Sequence, residues 1–229
     1  MFRSLILVAA LVSSVTAVQS GRQVPAALAS AARGRPIEFA MLLAHASIPV
    51  GLEVYGSDRD PRTMPDWRSI RGDEMVPLAV VIAAFNESHG DYGAELMDGV
   101  LVIRPLARRA PFLDQPLMVS DLEVTGVETA LRKMFKPIDP TLDAGGGILG
   151  SRSVTPEEAG DFMTVRFTPG KTVLQTLNEL AIQTGHGWKV VTTGSEEKKG
   201  ASQIVFAGFL HRRSITSGIP IRPIRPQTP

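Results

Sequence analysis

The sequence predicts an α+β protein of two tandem small modules, each with two helices packed on a short sheet that ends in a β-hairpin. Three observations carry that prediction. A helix and a hairpin follow one another between Val76 and Pro105, the same order returns between Phe167 and Phe206, and a stretch without periodicity, 106–112, lies between them. Self-similarity of this kind reads as an internal duplication, with modules at 36–105 and 113–209.

In the first unit Pro77 opens a helix whose apolar residues Leu78, Val81, Ile82 and Phe85 recur at i, i+3, i+4 and i+7 and so share one face. His89-Gly90 ends it. Tyr92 to Met97 is a short strand, Asp98-Gly99 supplies the positive φ angles of a tight turn, and Val100 to Ile103 returns. Pro105, which has no N–H to donate, closes the unit.

Upstream, residues 1–20 have the form of an export signal: Arg3, an apolar run Leu5 to Val12, and the small-residue site Val15-Thr16-Ala17, with cleavage after Ala17 or after Ser20. The run is far shorter than the roughly 20 apolar residues that span a bilayer, so no transmembrane segment is expected in the mature chain. Residues 21–35 form an Ala-rich N-terminal segment, with Val24 to Ala32 as a short helix that Gly34 and Pro36 terminate. A second helix starts at Pro36 and lines up Ile37, Ala40, Met41 and Ala44. Val50 to Tyr55 reads as a strand, and the polar, Pro-rich stretch Gly56 to Asp73 as a loop.

In the second unit, Leu117 to Val124 is a strand, and Val127, Ala130, Leu131 and Met134 share a helical face. Residues 136–161, with Gly145-Gly146-Gly147 and several prolines, form an inserted loop. Phe162 to Phe167 is a strand and Thr172 caps a helix bearing Val173, Leu174, Leu177, Leu180 and Ala181 on one face. Gly185 and Gly187 stop it. Trp188 to Thr192 and Gln203 to Phe206 make the hairpin. Leu78 to Phe85 thus matches Val173 to Leu180, and Tyr92 matches Trp188. Residues 210–229 are an Arg/Pro-rich tail of polyproline composition, expected to be unpacked.

Charge and composition narrow the function classes. Loss of a signal containing Arg3 takes one from 24 basic residues and none from 23 acidic ones, leaving a nearly neutral chain without the basic stripe that nucleic acid demands. There is no cysteine, which removes disulfides, thiolate ligands and thiol nucleophiles. The histidines His45, His89, His186 and His211 have no ligand spacing, and His89 and His186 sit at equivalent helix ends, where an imidazole caps carbonyls. The glycine run lacks the lysine of a phosphate-binding loop, and there is no nucleophile elbow. No catalytic, metal or cofactor-binding residue is proposed.

Five residues stand out as candidate partner contacts. Trp67 lies in a polar loop without periodic neighbours, Asp58 and Asp60 precede it in the same loop, and Arg222 and Arg225 punctuate the tail. The aspartates are too few for an oxygen cage.

Val-Pro-Leu at a helix start, a helix closing near Asn86 or Gln183-Thr184-Gly185, an aromatic-led strand and the return Gly99-Val100-Leu101-Val102-Ile103 together resemble the secretin and TonB short N-terminal domain. The likeness covers Val76 to Ile103 and Phe167 to Phe206, with Pro36 to Tyr55 and Leu117 to Phe135 as first halves. It implies a periplasmic, non-enzymatic module of the bacterial cell envelope that docks onto another envelope protein. Nothing after Phe209 has the length of a pore or barrel, and the 136–161 loop is extra to the family pattern. A small-ligand or cell-wall glycan binder using Trp67 and the Asp58 to Asp66 loop is the alternative.

Overall fold

The computed structural model describes residues 21–55, 58, 65–107, 109–118, 123–138, 164–185, 187–193 and 203–210. The fold is α+β, as expected. In chain order, β1 (Gln23–Pro25) leads to the short helix α1 (Ala27–Ala31), then α2 (Pro36–His45) and β2 (Val50–Tyr55). After a 3-10 turn at Trp67–Ile70 come β3 (Met75–Pro77), α3 (Leu78–Ser88), β4 (Tyr92–Met97) and β5 (Val100–Pro105). The second half has a 3-10 turn at Pro111–Asp114, β6 (Glu123–Thr125), α4 (Val127–Phe135), β7 (Thr164–Arg166), α5 (Val173–Thr184), β8 (Gly187–Thr193) and β9 (Gln203–Leu210).

The local signals act where they were read. Pro36 occupies the first turn of α2, where its missing N–H costs nothing. Thr172 forms a complete capping box with Gln175, at 3.2 and 3.0 Å, and Gly185 leaves α5 in the left-handed conformation at φ 68°. Asp98 (φ 49°) and Gly99 (φ 84°) make the two-residue turn that joins Met97 to Val100.

The two halves share one sheet. Its order is β4-β5-β2-β8-β9, so β2 lies at the centre and pairs in parallel with β5 on one side and β8 on the other. Each hairpin is antiparallel and contributes one strand to β2. The short ribbons β1–β3 and β6–β7 are separate and stand before α3 and α5, in equivalent places.

Helices cover both faces. Val50, Leu52 and Val54 join Leu101, Ile103, Tyr92, Ala94 and Val191 in a core shared with α1, α2 and α3. On the other face Val100, Val102, Trp188 and Val190 pack with α4, α5 and the Pro111–Asp114 turn. Alternate residues of the same strands thus feed two cores. A strand buried on both faces reads as a nearly continuous apolar run, and Val100 to Ile103 is one. The N-terminal helix is tied down by Leu28, and 106–112 is more than a spacer because Ala110 and Phe112 are buried.

Two contacts fix β2 between the hairpins. Gly51 faces the Trp188 indole so closely that a Cβ would lie 2.2 Å from its Cε2, so only glycine fits. The indole N–H donates to Asn178 Oδ1 at 2.9 Å, and Asn178 Nδ2 donates to the Met97 carbonyl at 3.3 Å, linking α5 to both hairpins. Two residues along β2, Glu53 is fully buried; Arg104 Nε donates to it at 2.7 Å, and the Ala110 N–H donates to its other oxygen. Arg104 also donates to both oxygens of Asp114, at 3.1 and 3.2 Å. Burial pushes the Glu53 carboxyl up against the pull of Arg104 and the Ala110 N–H. Burial works to lower the Arg104 pKa, but Asp114 and Glu53 together outweigh it.

Candidate functional site

A five-stranded open sheet has two outer strands, here β4 and β9, and unpaired backbone on an outer strand is the standard place for another strand to add. The two edges differ. On β4, successive residues point their N–H and C=O groups alternately toward β5 and away from it. Ala94 points away, yet both of its groups are bonded: its N–H donates to Asn86 Oδ1 at 2.7 Å, and its carbonyl accepts from Asn86 Nδ2 at 3.0 Å. Asn86 sits in the last turns of α3, exposed, alongside the strand. An antiparallel partner residue would make the same pair of bonds, so this side-chain amide stands in for a strand.

Along β9 no strand lies on the side away from β8 among the described residues. Its sequence, Gln203 to Leu210, holds no charge and no proline, two of the devices that blunt an edge. A bulge interrupts its pairing: Val191 faces Phe206 while Thr192 faces Ile204, so Val205 is the extra residue. β9 and β5 are each the second strand of a hairpin that follows a helix, and the outer side of β5 is filled by β2. The place beside β9 is therefore the place that β2 occupies in the first half.

The residues that sequence reasoning singled out are not gathered here. Asp58 is a tether: Oδ1 accepts from Arg35 Nη2 at 3.2 Å and Oδ2 from the Tyr92 hydroxyl at 2.9 Å, while the Tyr92 oxygen accepts the Tyr55 N–H at 3.4 Å. Burial first, and the bond to Asp58 second, hold the Tyr92 hydroxyl pKa above its ordinary value. Trp67 begins the 3-10 turn that Asp66 caps by accepting the Arg68 N–H at 2.9 Å. Asp60, Arg222 and Arg225 lie outside the described residues. The residue that sequence reasoning missed is Asn86. Its signal is available in the repeat itself, because the residue after Phe85 is Asn86 while the one after Leu180 is the buried Ala181.

His89 caps its helix as expected, with Nδ1 3.0 Å from the Phe85 carbonyl and its ring stacked on Phe85; Nε2 lies 2.8 Å from the Gly34 carbonyl, so the imidazole also ties α3 to the turn before α2. An apolar groove of about 440 Å³ opens between the Pro111–Asp114 turn and α4, bounded by Phe112, Pro116, Met118, Met134, Ile138 and Val173. Among the described residues no three His, Cys, Asp or Glu side chains gather where a metal ion would bind, and no helix is long and apolar enough to cross a membrane. No protein-family model, curated protein or solved structure matches the chain.

Proposed function

We propose that the chain is an exported, non-enzymatic interaction module of the bacterial cell envelope, and that it docks by receiving a strand from an envelope protein beside β9. The observation that carries this reading is the unequal state of the two edges: β4 has its outward backbone bonded at Ala94, and β9 has no outer strand among the described residues. Because β5, the equivalent of β9, pairs in parallel with β2, the incoming strand runs parallel to β9. An uncharged receiving strand favours an uncharged, β-branched or aromatic donor, since a charge brought to such an edge has no partner. The export signal and the likeness to envelope docking domains support the location.

A photo-reactive residue placed at Gly208 in the full chain, expressed in the source cells, tests this. The expected result is a covalent product with one envelope protein, absent when the same group replaces Glu95 on β4. A product linking Gly208 only to residues 139–163 of the same chain would mean that the molecule fills its own edge, and the docking reading would fall.

A further inference from the structure

We propose that Asn86 is an edge lock, whose side-chain amide closes the outer side of β4 against a second copy of this chain. The geometry is that of a one-residue strand. Both hydrogen-bonding groups of Ala94 are used, at 2.7 and 3.0 Å, by one planar amide whose carbonyl oxygen and NH₂ are spaced like those of a peptide group. Any strand adding to β4 must displace it at the middle of a six-residue edge.

The duplication supplies an internal control. Counting from Tyr92 and Trp188, Ala94 corresponds to Val190, and Val190 lies opposite Glu53 of β2. The strand of the second half that matches β4 therefore has a true strand neighbour at the place where Ala94 has Asn86. At the helix position matching Asn86 the second half has Ala181, fully buried, where an amide has no edge to reach. An amide stands where the strand is missing and is replaced by a methyl group where the strand is present. A cap serving only to end the helix would show no such correlation, and Asn86 bonds no carbonyl of its own helix in the contacts described above.

The partner that the lock excludes is another β4. Two copies pairing antiparallel about Ala94 form a closed two-fold contact, in which Glu95 of each strand falls opposite Gly93 of the other. No like charges then face each other, so the charge of Glu95 does not by itself forbid the pairing. With Asn86 in place, neither that dimer nor a head-to-tail filament from β9 to β4 forms. This inference stands on the geometry of β4 and survives failure of the β9 reading.

The test uses the absence of cysteine. Glu95→Cys, carrying a nitroxide label, is made in the full chain with and without Asn86→Ala. With Asn86 present the labels give no short-range dipolar signal at any protein concentration. In Asn86→Ala a concentration-dependent short-range signal develops, at least tenfold above the locked chain, and it disappears when Ala94→Pro removes the N–H that the pairing needs. A folded Asn86→Ala chain, with unchanged far-ultraviolet circular dichroism and no dipolar signal, overturns the proposal. If Asn86→Ala does not fold, Asn86→Asp decides: it keeps the acceptor for the Ala94 N–H and loses the donor to the Ala94 carbonyl, so a signal between the two extremes is expected and its absence counts equally against the lock.

Discussion

β4 and β8 each follow a helix and open a hairpin, and they have opposite fates. β8 is sheathed by β9 and β2 and carries Trp188 and Val190 into one core and Val191 into the other. β4 has β5 on one side only, and a single asparagine on the other. The difference teaches what one shared strand does between two helix-plus-hairpin units. β2 can lie beside only one hairpin strand on each of its sides, so it serves β5 and β8 and leaves β4 and β9 as edges. One of those edges is closed by a side chain. The other is where we place function.

The sharpest way to break the comparison is to remove β2 from β8. Gly51→Ala puts a methyl group 2.2 Å from the Trp188 ring, which its bond to Asn178 prevents from swinging aside. The expected loss is about 3 kcal/mol, at the upper end of overpacking costs, read as a lowered urea midpoint. Gly93→Ala, the matching change on β4, meets only the far end of the exposed Leu106 side chain at 2.9 Å and costs much less.

Glu53 sharpens the comparison at the other contact of β2. Glu53→Gln weakens the bonds to Arg104 and the Ala110 N–H, for an expected loss of about 1–3 kcal/mol. Its pH dependence has a definite sign. Because burial raises the Glu53 pKa above the ordinary 4.5, the folded state holds this proton more tightly than the unfolded chain does. The contribution of the carboxyl is therefore whole below the ordinary carboxylate range and is lost as pH climbs through the raised value. Denaturant curves should show the advantage of the natural chain over Glu53→Gln greatest in acid and shrinking as pH rises. An advantage that grows with pH would mean that Arg104 dominates.

The smallest effect belongs to Asp58. Both members of its pair with Arg35 are partly exposed, at 22 and 32 %, so Asp58→Asn should change stability by less than about 1 kcal/mol. If Asp58 were a partner contact the same change would weaken docking; as a tether it leaves photo-crosslinking at Gly208 unchanged.

What the sequence made legible was local. Helix faces, the Asp98-Gly99 turn, the Thr172 cap and the likeness between the two halves all follow from spacings of a few residues. The role of β2 did not, because a parallel neighbour is chosen by contacts between distant residues: Gly51 reads as an ordinary strand residue until Trp188 lies on it. The segment 106–112 read as a linker because Arg108, Arg109 and Pro111 sit in a stretch without period, yet the Ala110 N–H binds it to Glu53, more than fifty residues earlier. Asn86 was overlooked for a related reason. A polar residue in the last turns of a helix looks like solvated surface unless its counterpart in the other copy is asked why it is alanine.

The central claim is that an asparagine takes the place of a strand, and amide hydrogen exchange on the unmodified chain tests it most directly. The β8 amides, enclosed between two strands, should be the slowest. The Leu96 amide, on the outward side of β4, should be fast. Ala94, two residues away on the same side, should exchange at least tenfold more slowly than Leu96, and should lose that protection in Asn86→Ala. Equal exchange at Ala94 and Leu96 in the natural chain would contradict the account.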